Sequence, residues 1–182
     1  FLVSAEEEVS GKNGIESVIP LLPPIDCAII GEPTNMQPAI AEKGLMVLDC
    51  VAKGVAGHAA RDLGKNAIYE AMRDIEWFRT YTFPLISEMF GAVKMSVTQI
   101  DAGTQHNVVP AECHFVVDVR VTDRYTNQQI VDSIREHVEC EVKERSLRLK
   151  PSYIAPTHPA VQAGLELGLT TFGSSTSSDQ ML

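Results

Sequence analysis

Long apolar runs are missing from this sequence. No stretch of its 182 residues approaches the roughly 20 consecutive apolar residues of a membrane-spanning helix. Basic residues are scarce beside acidic ones: 15 Lys and Arg stand against 24 Asp and Glu, a net charge of -9 and a pI near 5.0. An acidic surface repels phosphate, which argues against nucleic acid and anionic membranes as partners. There is no CxxC and no close Cys/His pairing among Cys27, Cys50, Cys113 and Cys140, so a zinc-finger-like cluster is not indicated. Cys27, Cys50 and Cys113 sit in apolar runs, where free Cys behaves as a small hydrophobe. That usage points to a reducing compartment and a cytoplasmic protein. The N-terminus lacks a Met, a charged leader and a small-residue cleavage site. Phe1 to Ala5 reads as a strand entered midway, so the expectation is a piece of a longer protein.

What is present is ordinary globular material, 45% hydrophobic and 21% charged. The length suits one ordinary domain or two small ones, with enough chain to bury a core unaided. Residues 2–5 and 26–30 read as short buried strands, the second apolar on both faces as in parallel sheets. Each runs into carboxylates, Glu6-Glu7-Glu8 and Glu32, at its C-terminal end, where open α/β sheets place their sites. Residues 15–22 form a candidate short helix stopped by Pro23-Pro24.

The pattern changes near residue 40. Residues 45–52 read as a strand, and Gly54, Gly57 and Gly64 punctuate a loop that holds His58. Residues 66–81 carry Ile68, Ala71, Met72, Ile75 and Phe78 at helical spacing. Alternation over 93–100 and 113–121 predicts half-buried strands. Thr126 and Gln129 form a capping box ahead of the stripe Ile130, Ile134, Val138, and 141–149 reads as an edge strand. The order strand, helix, strand, strand, helix, strand is the ferredoxin-like split βαβ order. After Pro151, Thr157-His158-Pro159 reads as a helix start, 160–169 as the helix and 172–179 as a Ser-rich loop. The expected architecture is a partial α/β domain (1–41 and 151–182) interrupted by a ferredoxin-like domain (42–150).

The acidic triplet by itself is equally a solvated turn and a metal site. Carboxylates converging at two strand ends suit a divalent cation, and one more beside it suits a general base. His58 by itself reads as an exposed loop histidine, Arg120 as part of a solvated strand face, and Asn107 as a turn former. His106 and His114 lack a carboxylate in local spacing and read as structural, and His137 falls on the polar side of its helix.

Six segments, collinear over nearly the whole chain, carry a resemblance. Ser4-Ala5-Glu6-Glu7-Glu8-Val9-Ser10-Gly11 resembles the T-x-D-E-E-x-G-G segment of the co-catalytic zinc aminoacylase and exopeptidase family. Gly31-Glu32-Pro33-Thr34, Gly57-His58-Ala59-Ala60, Asn107-Val108-Val109-Pro110, Asp118-Val119-Arg120 and Ser177-Ser178-Asp179 are similar to that family's G-E-P, lid histidine, N-x-[IV]-P, D-x-R and T-S-D segments. Glu6 in place of Asp and Ser10 in place of Gly depart from the pattern at positions without direct chemistry.

The resemblance implies roles. Glu7 would be the general base, and Glu8 and Glu32 ligands of two zinc ions. His58 would reach an oxyanion in a second subunit, and Asn107 and Arg120 would hold substrate. It implies a homodimer formed through the lid and a small N-acyl amino acid as substrate, N-acetylornithine or N-succinylornithine giving ornithine in arginine biosynthesis. Succinyl-diaminopimelate desuccinylase and dipeptidase activities belong to the same family. A non-catalytic ferredoxin-like dimerisation module is the reading from another class. The family's remaining ligands, a histidine and a bridging aspartate upstream and a histidine downstream, have no counterpart here. The 182 residues alone are therefore expected to bind zinc weakly or not at all and to be inactive. His158 matches the helix-start segment rather than a ligand position.

Overall fold

A computed structural model describes residues 1–3, 5–6, 13–61 and 63–178. The chain divides into two units, Leu45–Leu147 and the combination of Phe1–Gly44 with Arg148–Leu182.

The unit of flanking segments holds α1 (Ile15–Val18), a 3₁₀ turn (Ile19–Leu21) and β1 (Ala39–Glu42). From the C-terminal part it takes a two-residue strand Ser152–Tyr153, a helix Pro159–Glu166 and a strand Phe172–Ser174. The order across its sheet is Ser152–Tyr153, β1, Phe172–Ser174. β1 runs antiparallel to the first and parallel to the last. The C-terminal helix starts as expected, with Pro159 in its first turn and His158 as N-cap, its side chain accepting from Ala160 N–H at 3.3 Å. It ends earlier than the predicted residue 169, because Gly168 turns the chain at φ 80°.

The strands expected over 2–5 and 26–30 do not form among the described residues. Val3 is 78% exposed and Ile29 91%. A strand exists only through backbone pairing with a neighbour, and an apolar run without one stays extended and unpaired.

The second unit begins with β2 (Gly44–Lys53, its first residue lying in the other unit), followed by β3 (Gly57–His58), α2 (Ala67–Thr80), β4 (Lys94–Ala102), β5 (Val108–Val109), β6 (Glu112–Val121), α3 (Asn127–His137) and β7 (Glu141–Glu144). Its main sheet has the order β4-β6-β2-β7. Numbered by the sheet's own strands, that is second, third, first, fourth, the ferredoxin-like arrangement. Met46, Leu48, Cys50 and Ala52 of β2 and Cys113, Phe115, Val117, Val119 and Val121 of β6 are buried, alternating with half-buried or exposed neighbours. They form one core with Ala67, Ala71 and Phe78 of α2 and Ile130, Val131 and Ile134 of α3. So both helices cover one sheet face. Among the described residues no helix is long and apolar enough to cross a membrane.

Local signals set the helix limits. Asn66 caps α2, its Oδ1 accepting Ile68 N–H at 2.9 Å. Thr126 and Gln129 complete the capping box of α3. The edge strand β7 is shorter than the predicted 141–149. Arg145 makes one more backbone bond to Val47, and Asn127 Nδ2 then donates to the Leu147 carbonyl at 2.9 Å, drawing the chain towards the start of α3.

Asp74 is the polar exception on the buried face of α2, 5% exposed. Its carboxylate accepts Glu139 N–H at 3.2 Å and Cys140 N–H at 2.9 Å, fixing the approach to β7. Asp74→Ala leaves two peptide N–H groups without their acceptor and is expected to cost about 2–3 kcal/mol. Thr126→Ala, the loss of a cap, is expected to cost about 1 kcal/mol. Urea unfolding followed by circular dichroism measures both, and a larger loss for the cap than for Asp74 would contradict this ranking.

Candidate functional site

The loop after β2 is folded tightly enough to present His58 in one geometry. Val55 and Lys65 exchange backbone bonds at 2.7 and 2.9 Å across its neck. A Cβ built on Gly57 would overlap the Leu63 carbonyl, so the residue before His58 has to be glycine. β3 and β5 pair as an antiparallel ribbon, Gly57 opposite Val109 and His58 opposite Val108. Ala59 N–H donates to the Asn107 carbonyl at 2.9 Å. The segments Gly-His-Ala-Ala and Asn-Val-Val-Pro, 49 positions apart from His58 to Asn107 (107 − 58), thus become neighbours. The ribbon is tied to the rest of the unit by Gly54 N–H to Ala111 O (2.7 Å) and Ala67 N–H to Pro110 O (3.1 Å).

His58 is exposed, and its Nδ1 accepts Ala60 N–H at 3.1 Å. In the neutral ring this leaves the proton on Nε2, making that atom a hydrogen-bond donor. Asn107 is half-buried. Beside the ribbon lies a cleft of about 440 Å³, lined among others by Ala59, Asn66, Gln105, His106 and Val108. His106, which the sequence suggested was structural, is exposed at this cleft. Its place next to Asn107 in the turn before β5 was the available signal.

Arg120 is not part of this group. Glu112 and Arg120 bound eight steps of extended β6, about 26 Å at the usual rise, and the ribbon joins the unit just before Glu112. Arg120 lies on the sheet face away from the helices, half-buried. Its Nε and Nη2 donate to Asp118 Oδ1 and Oδ2 at 2.8 and 3.1 Å. The fork that the sequence suggested for a substrate carboxylate holds a carboxylate of its own strand.

The same face carries further ion pairs. Arg145 grips Asp49 at 2.7–3.1 Å, and Lys53 meets Glu112 at 2.7 Å. His114 Nε2 lies 3.2 Å from Glu112 Oε2. The expectation that His114 has no local carboxylate fails for a simple reason: in a strand, residues two apart share a face. His137 is exposed as expected, its Nδ1 2.7 Å from the Ser133 carbonyl and its ring stacked on Trp77.

Of the proposed acidic site, Glu7, Glu8 and Asp179 lie outside the described residues. Glu6 brackets their segment, its carboxylate accepting the backbone and side-chain N–H groups of Asn13, each at 3.3 Å. Glu32 is exposed in a turn closed by Thr34 N–H to its own carbonyl. Ser177 Oγ bonds the Lys43 carbonyl at 3.4 Å, while Ser178 gives its N–H and hydroxyl to Glu42 at 2.9 and 2.8 Å. Glu42, 4% exposed, was not singled out by sequence, although a carboxylate ending an apolar strand was a usable sign. Among the described residues no cluster of three or more His, Cys, Asp or Glu side chains could hold a metal ion. Glu32 alone does not make such a site.

Residues 40–146 match the profile of the peptidase dimerisation domain of the M20 family. Succinyl-diaminopimelate desuccinylase 2 of Alteromonas mediterranea is 28% identical over 145 residues, covering 74% of this chain and 38% of that protein. The M20 family metallo-carboxypeptidase Sso-CP2 of Sulfolobus solfataricus shares the fold with a TM-score of 0.63 at 12% identity, over 84% of this chain and 58% of that one. A tripeptidase of Staphylococcus aureus does so with a TM-score of 0.60 at 17% identity, over 79% and 41%. The chain therefore spans 38–58% of the length of these relatives.

The Arg145 guanidinium, by hydrogen bond and charge, holds the Asp49 carboxyl below the usual aspartate range. A carboxyl whose folded pKa is depressed stabilises the fold above its unfolded pKa, about 4, and loses that contribution as pH falls through the lower folded value. Asp49→Asn is therefore expected to flatten the decline in urea midpoint below about pH 4 and to matter less in high salt. Identical pH profiles for the variant and the unmodified chain would show that the pair is energetically silent.

Proposed function

The chain belongs to the M20 peptidase family, and we propose that its parent protein is a metal-dependent hydrolase of the amide bond in N-acyl amino acids. The observation that carries this reading is the ribbon holding an Nε2–H donor on His58 beside Asn107. A fixed donor of this kind suits the oxyanion of a tetrahedral intermediate. In this reading Glu7 takes the proton of the attacking water and returns it to the leaving amine. Glu8 and Glu32 contribute to the metal site, zinc being the ion that the resemblance implies. Asn107, on the ribbon with His58, and Arg120, towards the other end of β6, contact substrate in different sites of a dimer. Residues 42–150 are the lid and dimerisation domain, and 1–41 with 151–182 belong to one catalytic domain. Cysteine usage supports a cytoplasmic location.

Two substrates compete. The motif spacing favours N-acetylornithine or N-succinylornithine. The relative named as a desuccinylase favours N-succinyl-diaminopimelate. The full-length protein is expected to release the amino acid from one of these, to lose activity on chelation, and to regain it with zinc. Glu7→Ala is expected to lower kcat by about 10²-fold or more, and His58→Ala by about 10²–10³-fold. Full activity in Glu7→Ala would refute the assigned base.

A second copy of the chain is the proposed partner. His58 and Arg120 lie towards opposite ends of β6, which supports His58 serving a site in the other subunit. β4 is a nine-residue edge strand, and α2 beside it exposes Tyr69 (66%) and Met72 (58%), flanked by Arg73 and Glu76. A two-fold pairing of α2 brings Arg73 of one copy towards Glu76 of the other. Met72→Arg is expected to turn a dimer into a folded monomer by light scattering with circular dichroism. A monomer for the unmodified chain would remove this proposal.

A further inference from the structure

The short edge strand β7 carries two thiols against the centre of the sheet. Cys50 on β2 is 1% exposed, and Cys140, at the bend entering β7, is 8% exposed. Cys50 pairs with Val142 and Val51 with Glu141. Extending that alternation puts Cys140 on the same face as Cys50, one diagonal step away. The two side chains are therefore neighbours across the β2–β7 pair. The backbone N–H of Cys140 donates to Asp74 Oδ2 at 2.9 Å, which keeps the bend close to the sheet while leaving the side chain its own rotamer. Contact with Cys50 and burial push the Cys140 thiol far above the ordinary thiol range, so it rests protonated. β7 has four residues and pairs with β2 on one side only. Such an edge opens locally at far lower cost than the whole unit, and opening admits a small oxidant.

We propose that Cys50 and Cys140 are an oxidisable pair that closes to an intramolecular disulfide with a low-molecular-weight disulfide such as oxidised glutathione, stapling β7 to β2. The first thiol to lose its proton on opening attacks oxidised glutathione, forming a mixed disulfide and releasing one glutathione thiol. The second protein thiol then attacks the protein sulfur of that mixed disulfide and releases the other glutathione. Two protein thiols are oxidised by two electrons. Oxidised glutathione is reduced to two thiols, which take up the two protons. The bend at Cys140 lies outside the β7 ladder, which leaves it room for the small adjustment that the S–S bond requires. The closed loop is long, so the cross-link restricts the unfolded chain and raises the unfolding midpoint.

The test uses the 182-residue chain with Cys27→Ser, because Cys27 is exposed and would form its own mixed disulfide. The folded protein is incubated with oxidised glutathione, alkylated, and mapped by mass spectrometry without reduction. The expected result is a Cys50–Cys140 linked peptide, loss of two of the three remaining thiols, and a urea midpoint that rises and returns with dithiothreitol. Adding Cys50→Ser is expected to abolish the link, and Cys140→Ser, which sits at the bend, serves the same purpose should the first variant fold poorly. Retention of all three thiols under folded conditions, a link through Cys113, or a glutathione adduct that never resolves would overturn the proposal.

Discussion

The structure depends on one-sided burial of its two central strands. β2 and β6 turn alternate residues into a core shared with α2 and α3 and turn the residues between towards the other face. A slip of one residue in either strand would exchange the two sets, so register is fixed by the hydrophobic effect rather than by any polar pair. Everything functional hangs from that register. It sets which side of β6 carries Asp118 and Arg120, and it sets where the β3–β5 ribbon joins the unit.

Polar groups then act as pins in a frame that apolar packing has built. Asp74 brings a carboxylate into the core only because two backbone N–H groups meet it. A buried carboxylate without donors would be strongly unfavourable. Glu42 does the same in the other unit, receiving both donors of Ser178 and so closing the serine-rich loop onto the end of β1. These are the acids with a structural reason to be where they are. The ion pairs on the open sheet face are exposed enough that solvent screens most of their attraction, so they shape the charge of that face more than its stability.

Legibility in the sequence followed the same division. The strand-helix order of 45–144 could be read because each element there has period and caps that agree with its packing. Thr126 with Gln129, and Asn66 ahead of the α2 stripe, are local signals with local outcomes. The strands expected over 2–5 and 26–30 were misread because their apolar runs say what they would bury, not whether a neighbour is present to pair with them. Distance between motifs was the other gap. Sequence put Asn107 and Arg120 on one substrate, since both are polar residues of recognisable segments. Only the length of β6 reveals that they face different ends of a sheet. His106 was read as structural and Glu42 was passed over because their surroundings come from residues distant in sequence, a cleft in one case and Ser178 in the other.

On the proposed reading, that separation bears on how such a domain would contribute to catalysis. A small N-acyl amino acid spans only a few ångströms between its amide and its carboxylate. A donor at the ribbon and a guanidinium near the far end of β6 cannot grip both ends of one such molecule while they belong to the same sheet. Moving either along its strand would reverse the alternation or break the core, so the sheet cannot adjust to bring them together. Two arrangements satisfy the geometry. Either Arg120 is held within its own sheet by Asp118, and the ribbon is the domain's whole contribution, or two copies each present one end to a different site. The bidentate Asp118 contact favours the first for an isolated chain, because a guanidinium already engaged by a carboxylate offers a weaker field to a second one. The edge of β4, unpaired among the described residues, and the apolar exposed face of α2 favour the second once another copy is present. Dimerisation in that case is more than added stability, since it is the step that gives a rigid sheet two addresses for its two polar ends.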